Sequence, residues 1–402
     1  MIPRFKPTHK FRDFKLLFTF RNRKKSIDSF EVAFAKKASQ KYARLFPYGR
    51  TALLAILQFL KENSADEKNE VICPSYTCVV VAHAIVEAGL IPVFVDSEIS
   101  TLNLDWKCVD EAVSNRTLAV ISTSLFGNPV NKKDIDLFKS LHPEIYILQD
   151  CAHSFFANDI HREGFAAFYG LNISKLISTV YGGMVTTDDS KLAAWLQKYQ
   201  KDSLKKPNFA KRLSRRIYFV SSVVAFSKYF YNLTFQLKKL GILSKFVNYY
   251  KPDSIDFPLD AYMQITTFQC LLGINQIANY DADIRKRNLI AHRYFNFLQK
   301  YSSARIITYG ESSTFSHFVL LIEGADDLAL KLELDGIELG RIVDYDISSM
   351  LAYNNYSYFG SGISRSAPSL VLNLPVHHGM GENEISRILS SLSKHLEPID
   401  SR

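Results

Sequence analysis

Lys175 is the only charged residue in GLNISKLISTVYGGM (170–184), a stretch of small, apolar and hydroxyl-bearing residues that closes on a Gly-Gly pair. An ammonium held among apolar residues has a lowered pKa, and the amine it becomes suits carbonyl chemistry. Upstream, Asp150 ends the apolar run YILQD (146–150), where a carboxylate needs a partner. His153 follows one turn later, in QDCAHS. Further upstream, in YGRTALLAIL (48–57), Gly49, Arg50 and Thr51 open a helix whose free N–H groups and dipole favour an anion. A reactive lysine, a carboxylate for a ring nitrogen and an anion cradle are what pyridoxal 5′-phosphate requires. Singly each has a plain structural explanation: a surface loop, a helix cap, a satisfied core histidine, a turn. The order and spacing together point to the cofactor.

The elements that must position these residues alternate. Apolar runs at 70–74, 92–96, 118–123, 146–150, 166–170 and 183–187 read as strands, and 51–62, 77–89 and 132–142 as helices. Such alternation predicts an α/β fold with a mostly parallel sheet covered by helices on both faces. Ligands then sit at the carboxyl ends of the strands, where Thr77, Cys78, Phe126-Gly127 and Asp150 fall. The C-terminal part changes character: a long helical pattern (263–301), a strand-like FSHFVLLIEG (315–324), and helices at 326–337 and 381–395. The expected organisation is a large domain over 1–280, with an N-terminal arm at 1–45, and a smaller α+β domain over 281–402.

The 402 residues carry a net charge of +9, but residues 201–251 alone hold twelve Lys/Arg and one Asp. The remainder is near neutral, so a nucleic-acid partner is not expected. Five cysteines at irregular spacing (73, 78, 108, 151, 270) support neither a disulfide framework nor a metal site. The basic N-terminus lacks the apolar core of an export signal, so a cytoplasmic protein with reduced thiols is expected.

The motifs in this order resemble the DegT/StrS-type aminotransferases, fold type I pyridoxal phosphate enzymes that mostly aminate keto-sugars on nucleotide carriers. The resemblance runs over roughly residues 28–400, through SFEVAFAKK, YGRTAL, VICPSYTC, AGLIPVFVD, LFGNPVN, QDCAHS, NISKLISTVYGGMVTTDD, FQCLLGINQI, IRKRNLIAHRY and NLPVHHGM. It implies a mixed, mostly parallel seven-stranded-type sheet, a homodimer and glutamate as amino donor. By position, Lys175 matches the Schiff-base lysine and Asp150 the pyridinium partner. His153 falls beside the ring, and Gly49, Arg50 and Thr51 match the phosphate loop. Thr77 or Cys78 flanks the ring, and Asn172 matches a polar residue three before the lysine. Gly170 stands where the family often has Ser, Arg50 where it has Thr, and Tyr262 about where a partner-subunit asparagine is common. A branch of the family replaces the lysine by histidine and dehydrates; Lys175 favours transamination. Two alternatives remain open, a cofactor-binding scaffold without turnover and a membrane-associated enzyme for a non-nucleotide ketone. His377 and His378 read as structural or solvent residues.

The segment 205–252 is the outlier. Between Ile217 and Leu237 its only charge is Lys228. A membrane span there would separate halves of a fold that must meet at one site. Ser221, Lys228, Asn232, Gln236 and Lys239 predict one helix with a polar stripe beside a wide apolar face. It packs either on the protein and its partner subunit or, as an interfacial helix, on an anionic membrane at the inner face.

Overall fold

A computed structural model describes residues 1–19, 21–243 and 254–399. Seven strands lie between residues 42 and 187: β1 (Tyr42–Phe46), β2 (Glu70–Pro74), β3 (Ile91–Val95), β4 (Thr117–Thr123), β5 (Tyr146–Asp150), β6 (Ala166–Gly170) and β7 (Gly183–Thr187). Four more follow: β8 (Arg305–Ile306), β9 (Phe318–Leu321), β10 (Tyr358–Phe359) and β11 (Val371–Leu374). The main sheet runs β1-β7-β6-β5-β4-β2-β3-β10. Neighbours from β6 to β10 are parallel, whereas β7 is antiparallel to both β6 and β1. The sheet therefore has eight strands, not seven. The eighth is two residues contributed by the C-terminal part, too short to show a period in sequence. β1 gives no clear apolar run either, because its residues YARLF carry Arg44, which turns back to the Ala43 and Ala193 carbonyls.

Strands β2 and β4 are buried along their whole length, as expected of a parallel sheet covered on both faces. The cover is α1 (Arg23–Ala38), α2 (Gly49–Glu62), α3 (Val80–Glu87), α4 (Trp106–Ala112), α5 (Lys132–Leu141) and α6 (Ser190–Asp202). Their starts are fixed locally: Asn22, Asp105, Asn131 and Asp189 each accept a backbone N–H at a helix N-terminus.

After α6 come α7 (Phe209–Ala225) and α8 (Tyr231–Lys239). The single polar stripe expected across 221–239 does not form, because the chain turns between Phe226 and Phe230 and restarts as a second helix. Residues 244–252 of that segment lie outside the described residues. Among the described residues no helix is long and apolar enough to cross a membrane.

A 32-residue helix, α9 (Thr267–Leu298), runs unbroken through residue 280. Beyond it lie α10 (Ala325–Leu334), α11 (Ile363–Leu370) and α12 (Glu382–His395), with a three-stranded sheet β11-β9-β8. This region has its own apolar core, in which Tyr294, Phe318, Leu332, Leu374 and Ile388 meet.

Candidate active site

The carboxyl ends of β2, β3, β4 and β5 converge, and the C-terminal loops are bolted onto them. Asp96, just past β3, accepts N–H bonds from Gly362, Ile363 and Ser364, so this buried carboxylate caps α11. Asp346 bonds the Ser75 hydroxyl after β2 and the N–H of Ser349. Both are acids near strand ends, yet both are used up in holding loops.

Asp150, in register with Thr123 of β4, is different. It is 5% exposed, and its hydrogen bond comes from the Ala152 N–H at 3.0 Å. No cation lies within ion-pair distance among the described residues. Burial pushes its pKa up, opposed by the Ala152 N–H and by the charge on Lys175. A cationic ring nitrogen would supply the counter-charge this carboxylate lacks.

Lys175 is half-buried and its side chain crosses Gly170, whose Cβ position would be 3.5 Å from the lysine Cε. Its ammonium makes no hydrogen bond or ion pair among the described residues. Burial lowers its pKa, with Cys78 and Asp150 acting in the opposite direction. An unpartnered amine coupled to a buried carboxylate is primed for carbonyl chemistry.

The loop that carries Lys175 is closed on itself. The Leu171 N–H donates to the Gly182 carbonyl at 2.8 Å, and the Thr179 N–H to the Leu171 carbonyl at 3.0 Å. Asn172 Oδ1 accepts from the N–H and hydroxyl of Ser174, while the Lys175 N–H bonds the Asn172 carbonyl. Asn172 thus shapes the turn that presents the lysine. Gln269, in the capping box of α9, donates to the carbonyls of Thr179 and Tyr181 and pins the loop's far end. The Gly-Gly pair then lets β7 pass under the start of α2, since a Cβ on Gly183 would meet the Tyr48 backbone.

At that start the first intrahelical bond is from the Ala52 N–H to the Tyr48 carbonyl, 3.0 Å. The N–H groups of Gly49, Arg50 and Thr51 therefore have no acceptor within the helix and can hold an anion. The Thr51 hydroxyl is fully buried and bonds the Ala261 carbonyl, so Thr51 offers its backbone only. Arg50 sends one Nη to the Asp256 carbonyl at 3.0 Å and lies over the Phe257 ring.

His153 is buried, and its Nδ1 accepts the Phe126 N–H at 3.2 Å. Burial and the nearby Lys175 and His317 hold its pKa well below the ordinary histidine range. Its ring centroid lies 5.0 Å from that of His317. Thr77 is buried with an unpartnered hydroxyl, and Cys78 lies within electrostatic reach of both Lys175 and Arg50.

The structure thus gathers Asp150, His153 and Cys78 around Lys175, and Arg50 at the start of α2 lies within electrostatic reach of Cys78. His317 joins them unforeseen. It sits before β9, held by its N–H to the Phe126 carbonyl at 3.2 Å, and its pKa is lowered by burial and by Lys175. The contact spans about 190 residues of sequence, and a lone histidine before an apolar strand gives no signal of it. His377 lies elsewhere, pairing with the Pro3 carbonyl.

Pyridoxal 5′-phosphate fits this set. Among the described residues the lysine has no competing partner, the Thr77 hydroxyl is unused and the first three N–H groups of α2 have no helical acceptor, while the buried carboxylate needs a cation.

The sequence model described as the DegT/DnrJ/EryC1/StrS aminotransferase family matches residues 18–393. The chain is 25% identical over 382 residues to a GDP-perosamine synthase of Caulobacter vibrioides, covering 92% of this chain and 90% of the relative. It is 23% identical over 377 residues to a dTDP-3-amino-3,6-dideoxy-alpha-D-galactopyranose transaminase of Aneurinibacillus thermoaerophilus, covering 92% and 90%. Among solved structures, the fold is similar to the Helicobacter pylori aminotransferase PseC, with TM-score 0.77, 18% identity and 97% of each chain covered. It is similar, too, to an Escherichia coli GDP-4-keto-6-deoxy-D-mannose-3-dehydratase, with TM-score 0.76, 20% identity and coverage of 98% and 99%.

Proposed function

Since this chain belongs to the DegT/DnrJ/EryC1/StrS aminotransferase family, we propose that it transfers an amino group from glutamate to a keto-sugar carried on a nucleotide, for surface polysaccharide or a related glycan. The observation that carries this reading is the Lys175 amine, without a hydrogen-bond or ion-pair partner among the described residues, beside the buried Asp150.

Bound pyridoxal 5′-phosphate supplies an electron sink that lets a donor's α-hydrogen leave as a proton, and it carries the amino group between the two substrates. The chain's own residues do the rest. The N–H groups of Gly49, Arg50 and Thr51 hold the phosphate. Asp150 keeps a proton at the ring nitrogen. Lys175 Nζ would take the proton off the donor's Cα and, in the reverse direction, would place a proton on the ketone carbon that receives the amino group. His153, its tautomer set by the Phe126 N–H, positions the ring, with Thr77 and Cys78 flanking it. Lysine rather than histidine at 175 favours transamination over dehydration.

The working form is a cytoplasmic homodimer, with a large cofactor-binding part to residue 280 and a smaller part from 281. Segment 205–252 makes peripheral contact with the inner face of a membrane. Glutamate added alone to the purified, cofactor-loaded protein should convert the cofactor's visible absorption band, and Lys175→Ala should abolish it. A band that glutamate leaves untouched would mean a scaffold without turnover. Mass spectrometry over a set of keto-sugar nucleotides then identifies the acceptor; amination only of ketones lacking a nucleotide would overturn the substrate class.

A further inference from the structure

We propose that the outward face of α7 and the turn into α8 form a docking surface for anionic phospholipid. This rests on the peripheral-contact reading above and goes further by naming the face and the lipid chemistry.

Helix α7 has two apolar sides. One faces the protein: Phe219 is fully buried against Val180, Phe268 and Leu272, next to the lysine loop. Arg215 and Lys211 are ion-paired to Asp260, whose other oxygen takes the Tyr48 hydroxyl. The other side faces water. Phe209, Leu213, Ile217 and Val224 follow at spacings of four, four and seven, which places them within an arc of roughly 80°. They are 71, 44, 55 and 44% exposed. The turn and α8 extend the patch with Tyr229, Phe230 and Leu233, all more than half exposed. A run of large apolar side chains facing solvent marks an interaction site.

The charge on this face selects the partner. Residues 203–243 contain no Asp or Glu. Lys211, Arg215, Lys238 and Lys239 are neutralised by Asp260, Glu338 and Glu333 from other elements. Lys205, Lys206, Arg212, Arg216 and Lys228 have no ion-pair partner among the described residues. The occupant must therefore be apolar and negative together, as an anionic leaflet is. A second copy of the chain fits poorly, because a two-fold contact through this face would set these cations against themselves. Aromatic side chains beside lysine and arginine match an interfacial helix lying flat, and α7 at 17 residues presents roughly 25 Å of such a face.

The test is flotation of the full-length, cofactor-loaded protein with phosphatidylcholine vesicles containing or lacking phosphatidylglycerol. Binding is expected only with phosphatidylglycerol. It should fall at least about tenfold in Leu213→Ser/Ile217→Ser, which removes two exposed aliphatic side chains that the contact would bury, and should fall also in Arg212→Gln/Lys228→Gln. The glutamate half-reaction, retained in both variants, certifies their fold. Wild-type protein that floats with no vesicle defeats the peripheral-contact reading and this proposal together. Wild-type flotation that both variants keep places the contact elsewhere and overturns this proposal alone. Light scattering that shows Leu213→Ser/Ile217→Ser losing its oligomeric state makes the face a subunit interface, which also overturns it.

Discussion

A methyl group on Gly183 would stand 2.2 Å from the Tyr48 carbonyl oxygen and 2.6 Å from the Gly49 nitrogen. The end of the lysine loop and the start of α2 are therefore in backbone contact, with no side chain between them. Gly183→Ala should force them apart, costing about 1–3 kcal/mol as overpacking does, and should weaken cofactor binding. Gly170→Ser places its Cβ 3.5 Å from Lys175 Cε, an ordinary contact. Its stability should stay within about 0.5 kcal/mol of wild type. Urea unfolding and cofactor titration of the two variants should differ in this sense; equal behaviour would contradict the geometry.

Asp150→Asn should separate stability from activity. Burial raises the Asp150 pKa, so at neutral pH its charge costs the cofactor-free fold some stability, a cost absent below the unfolded carboxyl pKa and incurred as pH rises through the folded one. Asparagine removes that charge. Cofactor-free Asp150→Asn should melt no lower than wild type at neutral pH, while turnover falls by about 10²-fold or more because nothing holds the ring nitrogen protonated. A variant that keeps full turnover refutes the role.

Thr51→Val tests backbone against side chain at the anion cradle. The hydroxyl bonds the Ala261 carbonyl in a fully buried site, so its loss should cost about 1–3 kcal/mol in denaturant unfolding. Cofactor affinity, carried by N–H groups, should change no more than a few-fold. A large loss of affinity without loss of stability would reverse the assignment.

Acid should destabilise this fold early. Seven of its ten histidines have depressed pKa values, chiefly through burial. His9 and His83 are pushed down to about 4 and His378 to about 3. Each stays neutral when folded and takes up a proton when unfolded below about pH 6.5. Stability is thus fully present above that pH and falls as pH drops toward 4, by up to ~1.4 kcal/mol per pH unit for each histidine. Melting temperature followed from pH 8 to pH 5 should decline below pH 6.5; a flat profile would show that these rings are solvated.

The amino-acid sequence by itself determined the chemistry and most of the architecture. Lys175 and Asp150 stand out only in company with His153 and Gly49–Thr51, because each alone has a plain structural explanation while their order and spacing together do not. Four strands, 70–74, 146–150, 166–170 and 183–187, were legible to the residue, since each is a short run rich in apolar and β-branched residues with polar or glycine breaks beside it. Tertiary structure decided what depends on distant partners. It set Thr51 facing Ala261, assigned Asp96 and Asp346 to loop caps, and brought His317 to His153. None of these contacts has a local signature, because each joins residues more than a hundred positions apart. The segment after α6 shows the same limit from the other side. Its composition announced an apolar, basic surface, but only the turn at Phe226–Phe230 and the burial of Phe219 decided which side faces water.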